Sequence, residues 1–176
     1  VCMNDGGILL DTAYLNHLIS FDEKNGILKC ESGVVLGDIM TWATTRGWSL
    51  PVTPGTQFVT IGGAIANDVH GKNHHVAGTF GRHVLKFELL RSNGERLICS
   101  KEENPEMFRA TISGLGLTGL ILWAEIQLEA IQSPIFESET ERFNNLDEFF
   151  EISDTSDKDY VYTAAWMDGM ASPTKF

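Results

Sequence analysis

A net charge of −11 on 176 residues argues against a nucleic-acid binder, whose affinity comes mainly from basic side chains neutralising phosphates. The length allows one good core, or one core and a fragment of a second. With 43% hydrophobic residues and no apolar run approaching the span of a bilayer, the composition is that of a soluble globular protein.

The chain starts Val-Cys-Met-Asn-Asp, without an initiator or signal pattern, so the natural N-terminus is expected to lie upstream and Lys175-Phe176 is not expected to be a natural end. Residues 6–11 (GGILLD) predict a short apolar strand. Residues 19–22 and 27–32 flank Glu23-Lys24-Asn25-Gly26, whose Asn-Gly pair is a strong hairpin signal. Ile39, Trp42 and Ala43 recur at helical spacing within residues 37–46, and Gly47 is placed to stop that helix. Residues 48–52 predict a strand that ends in the turn Pro-Val-Thr-Pro-Gly. Cys2, Cys30 and Cys99 are odd in number and widely spaced, which leaves buried free thiols rather than a disulfide framework or a paired-thiol metal site.

Between Pro54 and His83 glycines crowd and four of the five histidines gather, His70, His74, His75 and His83, and the charges besides Asp68 are Lys72 and Arg82. Glycine is needed where backbone lies against something that leaves no room for a Cβ. In so acidic a chain this island reads as a pocket floor for an anionic ligand, with backbone N–H groups and the start of a short helix at Ile61–Ala66 available to hold phosphate. Of His74, His75 and His83, at least two are expected to hydrogen-bond loop backbone. His70, directly before Gly71 at the turn after the helix, is placed to aim its ring along the glycine surface. Three histidines in a loop with Lys72 among them suit an anion better than a metal ion.

Residues 84–90 and 96–100 predict a second hairpin around Ser92-Asn93-Gly94-Glu95, and Asn104-Pro105 opens a helix reaching residue 112. Gly114-Leu-Gly-Leu-Thr-Gly119 spells G-x-G-x-x-G, a dinucleotide-binding fingerprint only when it follows a strand and opens a helix. Here the order is reversed, so the segment predicts a tight helix-to-strand turn. A long strand follows over residues 120–131, with Leu122, Ala124, Ile126 and Leu128 on one face and Trp123, Glu125, Gln127 and Glu129 on the other. Past residue 131 the chain turns acidic. A helix is expected over residues 145–152, a loop over 153–159 (SDTSDKD) and a strand over 160–166 (YVYTAAW). A domain boundary is expected near residue 131, with residues 132–176 as the beginning of a second domain.

PGTQFVTIGGAIANDVHGKNHHVAGTFGRHV, ENPEMFRATISGLGLTGLI and YTAAWMD together resemble the FAD-binding oxidoreductases of the vanillyl-alcohol oxidase superfamily. The HGKNHH segment is most similar to the branch of decaprenylphosphoryl-β-D-ribose 2′-epimerase flavin oxidase subunits. The resemblance implies an α+β fold of the PCMH type. Residues 1–131 would then form an incomplete FAD-binding domain lacking its first pyrophosphate loop, and residues 132–176 the start of a substrate domain. It implies FAD as cofactor, held by Val1, Gly55, Thr60, Ile61, Gly62, Gly63, Asn67, Asp68, Val69, His70 and Ile121. It places His70 as the catalytic candidate, and His70, Lys72 and Trp166 at a small-molecule or lipid-linked sugar substrate. A separate NAD-dependent reductase subunit is the implied partner. The implied reaction is oxidation of a secondary alcohol of a glycosyl polyprenyl phosphate. Two alternatives stand beside it: a sugar-lactone or alditol oxidase, and a degenerate flavin-fold module that binds without redox work.

Overall fold

The computed structural model describes residues 6–169. Its centre is a five-stranded antiparallel sheet of β1 (Leu18–Asp22), β2 (Ile27–Glu31), β4 (Val84–Leu90), β5 (Arg96–Ser100) and β6 (Leu120–Gln127), in the order β1-β2-β6-β4-β5. Both hairpins form where Asn-Gly turn chemistry predicts them. At the first, Asp22 accepts from the amides of Lys24 and Asn25 at 3.0 and 3.1 Å, and Gly26 takes a φ of +69°. The gap between β2 and β4 carries α1 (Leu36–Thr44), β3 (Trp48–Ser49), α2 (Ile61–Ala66), α3 (His74–Ala77) and a 3₁₀ turn over Phe80–His83. After β5 come α4 (Pro105–Thr111), then β6, β7 (Glu129–Ala130) and α5 (Leu146–Asp159).

One face of the sheet supplies the core. Leu28 lies opposite Ile126 and Cys30 opposite Ala124, while Phe87 and Leu89 carry the same face into β4; all are fully buried. Helix α1 covers this face with Leu36, Ile39 and Ala43, and α2 with Ile61, Ala64 and Ile65. Phe108 of α4 stacks on Phe87 at 5.2 Å between ring centres. Burial pushes the Cys30 thiol up to about 12, so it is an inert core residue, and Cys99 is likewise buried and free.

The opposite face carries a polar ladder across four strands. Arg96 grips Glu88 through two parallel bonds of 2.8 and 2.9 Å, Trp123 Nε1 donates to Glu88 at 2.7 Å, and Lys29 Nζ stands 3.6 Å above the Trp123 ring. The Arg96 hydrogen bonds, helped by that of Trp123, hold the Glu88 carboxyl below its ordinary value of 4.5. A carboxylate with a depressed folded pKa stabilises fully above its unfolded value, and the stabilisation fades as pH falls from there through the folded one. Thermal melts at pH values descending from about 5 should therefore show wild type losing stability faster than Glu88→Gln. Parallel curves for the two proteins would remove Glu88 from the acid response.

Several predicted elements are corrected. Residues 6–11 form no strand, and Ile8, Leu9 and Leu10 are 92%, 74% and 68% exposed: an apolar run without a neighbouring strand has no ladder to join. The strand at 48–52 is reduced to Trp48–Ser49, paired with Ala130 and Glu129, because the Pro51 side of the run leaves the ladder. The long strand 120–131 divides into β6 and β7. A register shift between β4 and β6 makes Ile121, rather than Leu122, the inward residue opposite Leu89. The helix expected at 145–152 runs on through SDTSDKD to Asp159. Asn145 caps it by accepting from Glu148 N at 2.9 Å, and Glu148 reaches back to the Asn144 amide at 2.6 Å. Residues 160–166 are irregular rather than a strand.

Candidate functional site

Thr60 begins the site by capping α2, its Oγ1 accepting the Gly63 amide at 3.2 Å. Ile61 N donates to Val34 O at 2.9 Å and Gly62 N to Ser32 O at 2.8 Å. The first three amides of this helix are thus spent within the chain, which differs from the expectation that they stand ready for phosphate. What α2 offers instead is surface. Its inner face is buried, whereas Gly62, Gly63 and Ala66 are half-buried and Asn67 and His70 are exposed, so one flank of the helix and its exit turn carries almost no side-chain bulk.

The glycines here divide by what a Cβ would meet. On Gly62 it would stand 3.1 Å from Ser32 Cβ and 3.2 Å from Ser32 O, and on Gly71 2.8 Å from Thr53 O, so the fold itself asks for glycine at both. On Gly63 it would meet only Thr60 Oγ1 at 3.2 Å and Val59 Cγ1 at 3.8 Å, and on Gly55 nothing within 4 Å. Neither Gly55 nor Gly63 has a positive φ. Internal packing gives little reason for glycine at these two positions, whereas a body lying against the outside of the chain does. Beneath Gly62, Ser32 Oγ is buried with no hydrogen-bond partner among the described residues.

The other sequence-derived residues fall around this flank. Asn67 Nδ2 donates to Gly63 O at 2.9 Å, and Asp68, at φ +44°, accepts the Gly81 amide at 2.7 Å. Val69 is tied at both ends, its N to Ala64 O at 3.1 Å and its O to Phe80 N at 2.9 Å. Ile121 is 5% exposed, in the core opposite Leu89. Val1 lies outside the described residues.

The histidines separate as expected. His74 Nδ1 donates to Gly71 O at 3.3 Å, His75 Nε2 to Tyr160 O at 3.2 Å, and His83 Nε2 to Ala77 O at 3.0 Å. His70 is exposed, and among the described residues its side chain makes no hydrogen bond; its ring meets His74 edge-on at 6.1 Å, and its backbone bridges Thr79. Lys72 is exposed, and its carbonyl accepts from Thr163 N at 3.0 Å. Together with the His75 bond, this lays residues 160–163 across the loop as a strap and brings the chain leading to Trp166, itself 93% exposed, toward the same region. Sequence reading missed the strap because its two bonds join carbonyls and a ring nitrogen across the chain and carry no side-chain pattern.

The G-x-G-x-x-G segment is the helix-to-strand turn that its position implies: α4 precedes it and β6 follows. Ser113 N and Leu115 N donate to Ile65 O and Ala66 O at 3.1 and 2.8 Å, so the turn closes the end of α2. Among the described residues no helix is long and apolar enough to cross a membrane.

Residues 1–100 match the family described as FAD binding domain. The decaprenylphosphoryl-beta-D-ribose oxidase of Mycolicibacterium smegmatis is 41% identical over 174 residues, covering 98% of this chain and 38% of that protein. A putative D-arabinono-1,4-lactone oxidase of Neurospora crassa is 31% identical over 124 residues, 70% of this chain and 22% of the relative. Among solved structures, 6-hydroxy-D-nicotine oxidase from Arthrobacter nicotinovorans superposes with a TM-score of 0.66 at 28% identity, over 72% of this chain and 28% of that one. The chain thus spans well under half the length of the relatives it matches.

Proposed function

The chain belongs to the FAD binding domain family, with an α+β fold of the vanillyl-alcohol-oxidase type, and from that premise we propose that the protein carrying it oxidises a secondary alcohol of a sugar-like substrate. FAD is the cofactor, and when bound it supplies the acceptor for the substrate hydride. The observation that carries the reading is the bare flank of α2 at Gly63, with Gly55 in the segment before the helix, both glycines that internal packing scarcely requires.

The residues proposed to hold the cofactor are Val1, Gly55, Thr60, Ile61, Gly62, Gly63, Asn67, Asp68, Val69, His70 and Ile121. Gly63 and Gly55 admit it by lacking side chains. Thr60 and Asn67 fix the α2 backbone, and Asp68 fixes the turn by holding Gly81. His70, whose ring is not engaged by loop backbone, is the proposed catalytic residue, orienting the substrate hydroxyl or the edge of the ring system. Lys72 is proposed to meet a phosphate or polar group of the substrate, with Trp166 beside it. Residues 1–131 are taken as the cofactor unit and residues 132–176 as the beginning of a substrate unit.

The name of the M. smegmatis relative supports a glycosyl polyprenyl phosphate as the substrate; a separate NAD-dependent reductase subunit is proposed as the partner. The N. crassa relative supports a sugar lactone as the second reading. Anaerobic reduction of the flavin in the intact protein, followed by its visible absorbance, tests both: bleaching is expected with a polyprenylphosphoryl pentose and not with an aldonolactone. Bleaching by the lactone alone selects the second reading, and bleaching by neither removes the oxidase reading.

In the same assay His70→Asn should slow reduction by about tenfold or more while the melting temperature stays close to wild type, because an interaction made in the transition state appears in rate. Lys72→Met should instead raise the substrate concentration needed for half-maximal reduction, since a point charge on a phosphate acts on ground and transition states alike. A wild-type reduction rate in His70→Asn would return that histidine to a structural role.

A further inference from the structure

We propose that the depression between the 3₁₀ turn, the end of β5 and α4 is a second anion site, which takes a phosphate group carried on a small polar body. Arg82 of the 3₁₀ turn, Lys101 just past β5 and Arg109 of α4 line it, together with Asp68, Thr79, Gly81 and Ile112. Its volume is about 360 Å³, more than a bare ion needs and within the range of small-molecule sites.

The argument is one of unbalanced charge. The chain carries 24 acidic residues against 13 lysines and arginines, so a cation has many carboxylates to choose from. Among the described residues the ion pairs are His17 with Glu31, Lys29 with Glu125 and Arg96 with Glu88, and none of the three cations of the depression takes part. The one carboxylate at its wall, Asp68, has an oxygen committed to the Gly81 amide at 2.7 Å. Three cations converging with a single partly engaged counter-charge repel one another, and an anion in their midst relieves that repulsion. Screening over about 8 Å at physiological salt makes this local excess matter more than the distant acidic surface.

The site is separate from the glycine flank. Of the residues proposed to hold FAD it shares only Asp68, whose carboxylate faces Gly81. Arginine's planar fork and lysine's point charge are the groups that recognise phosphate oxygens, and the Thr79 hydroxyl adds a neutral donor. Ile112 is the one large apolar side chain of the lining, which is otherwise polar or glycine, as a polar body asks.

The test uses the intact, flavin-loaded protein. Calorimetric titration with inorganic phosphate and with ribose 5-phosphate forms one arm. Sedimentation with phosphatidylcholine vesicles, with and without phosphatidic acid, forms the other and tells a soluble phosphate ester from a lipid headgroup. Binding in either arm is expected to weaken with salt and to fall about tenfold for each cation removed, in Lys101→Gln, Arg109→Gln and the double variant. Flavin content and melting temperature should stay as in wild type, since both side chains are exposed. Absence of binding in both arms, or unchanged binding in the double variant, overturns the proposal. Loss of flavin in the double variant also overturns it, by making the depression part of the cofactor site, and leaves the oxidase reading standing.

Discussion

Gly63→Val is expected to strip FAD from the intact protein while leaving it folded. The chain nearly has room for the new side chain: a Cβ at this position meets Thr60 Oγ1 at 3.2 Å and Val59 Cγ1 at 3.8 Å, and no backbone atom of another element lies as close. Helix propensity even favours the change, by a few tenths of a kcal/mol over glycine. The cost falls on whatever lies against the outer flank of α2. The three added carbons of an isopropyl group pressed into a rigid ring system cost roughly 1–3 kcal/mol, which weakens FAD binding by up to about a hundredfold. Gly62→Ala is the informative contrast, because its Cβ must displace Ser32 and so disturbs the fold as well as the surface. Flavin absorbance after gel filtration and melting of the apo forms separate the two effects, the apo comparison being required because bound ligand itself raises the melting point. A Gly63→Val protein that retains stoichiometric FAD would contradict the placement of the cofactor on this flank.

The second large effect is expected at Gly26, where alanine should destabilise the fold by about 2–5 kcal/mol. Two penalties combine. The residue sits at φ +69°, a left-handed conformation costing a side-chain-bearing residue about 1–2 kcal/mol. A Cβ there would also lie 2.1 Å from Cζ3 of Trp48, so the indole must move. Trp48 has little freedom to do so, because it packs edge-on to Phe21 at 6.1 Å, and Phe21 is itself held by Trp42 at 4.9 Å. Gly94 in the other hairpin is the matched control: its φ is +85°, but a Cβ meets nothing within 4 Å. Gly94→Ala should therefore cost only the backbone term, and the difference between the two melting shifts measures the Trp48 contact. Equal shifts would show that the indole yields freely.

These two glycines also show what could be read from the sequence. Asn25-Gly26 and Asn93-Gly94 gave their hairpins because the turn is decided by backbone conformation within four residues. Helix α1 and α2 were legible for the same reason, the first through the spacing of Ile39 and Ala43 and the second through Thr60 and the apolar trio Ile61, Ala64 and Ile65. Trp48 against Gly26 was not, since it joins residues far apart in the chain. The inward switch from Leu122 to Ile121 was hidden too, because a bulge is set by the pairing with Leu89 and not by β6 alone. SDTSDKD looked like loop on propensity, yet the cap at Asn145 and the acidic first turn of Asp147 and Glu148 sustain α5 without a single buried residue. In the candidate site, the separation of His70 from the other three histidines was readable from its place at the helix exit. That the α2 amides are consumed by Ser32 and Val34 was not, because those partners come from the segment after β2.

The strap over the histidine loop has a consequence in time. His75 waits for Tyr160, 85 residues further along, and Asn25 waits for Gln127 across 102. A ribosome delivers the glycine-rich loop long before either closure is possible, and each long closure carries its entropic cost before any contact repays it. β4 and β5 can pair as soon as they emerge, β6 then joins them to β2, and the loop bearing His70 and Lys72, held until then by the His70–Thr79 bridge and the Asn73–Pro51 bond of 2.8 Å, gains its last ties when the strap arrives. The part of the chain proposed to meet substrate thus receives its last restraints late in synthesis, after the sheet beneath it can form.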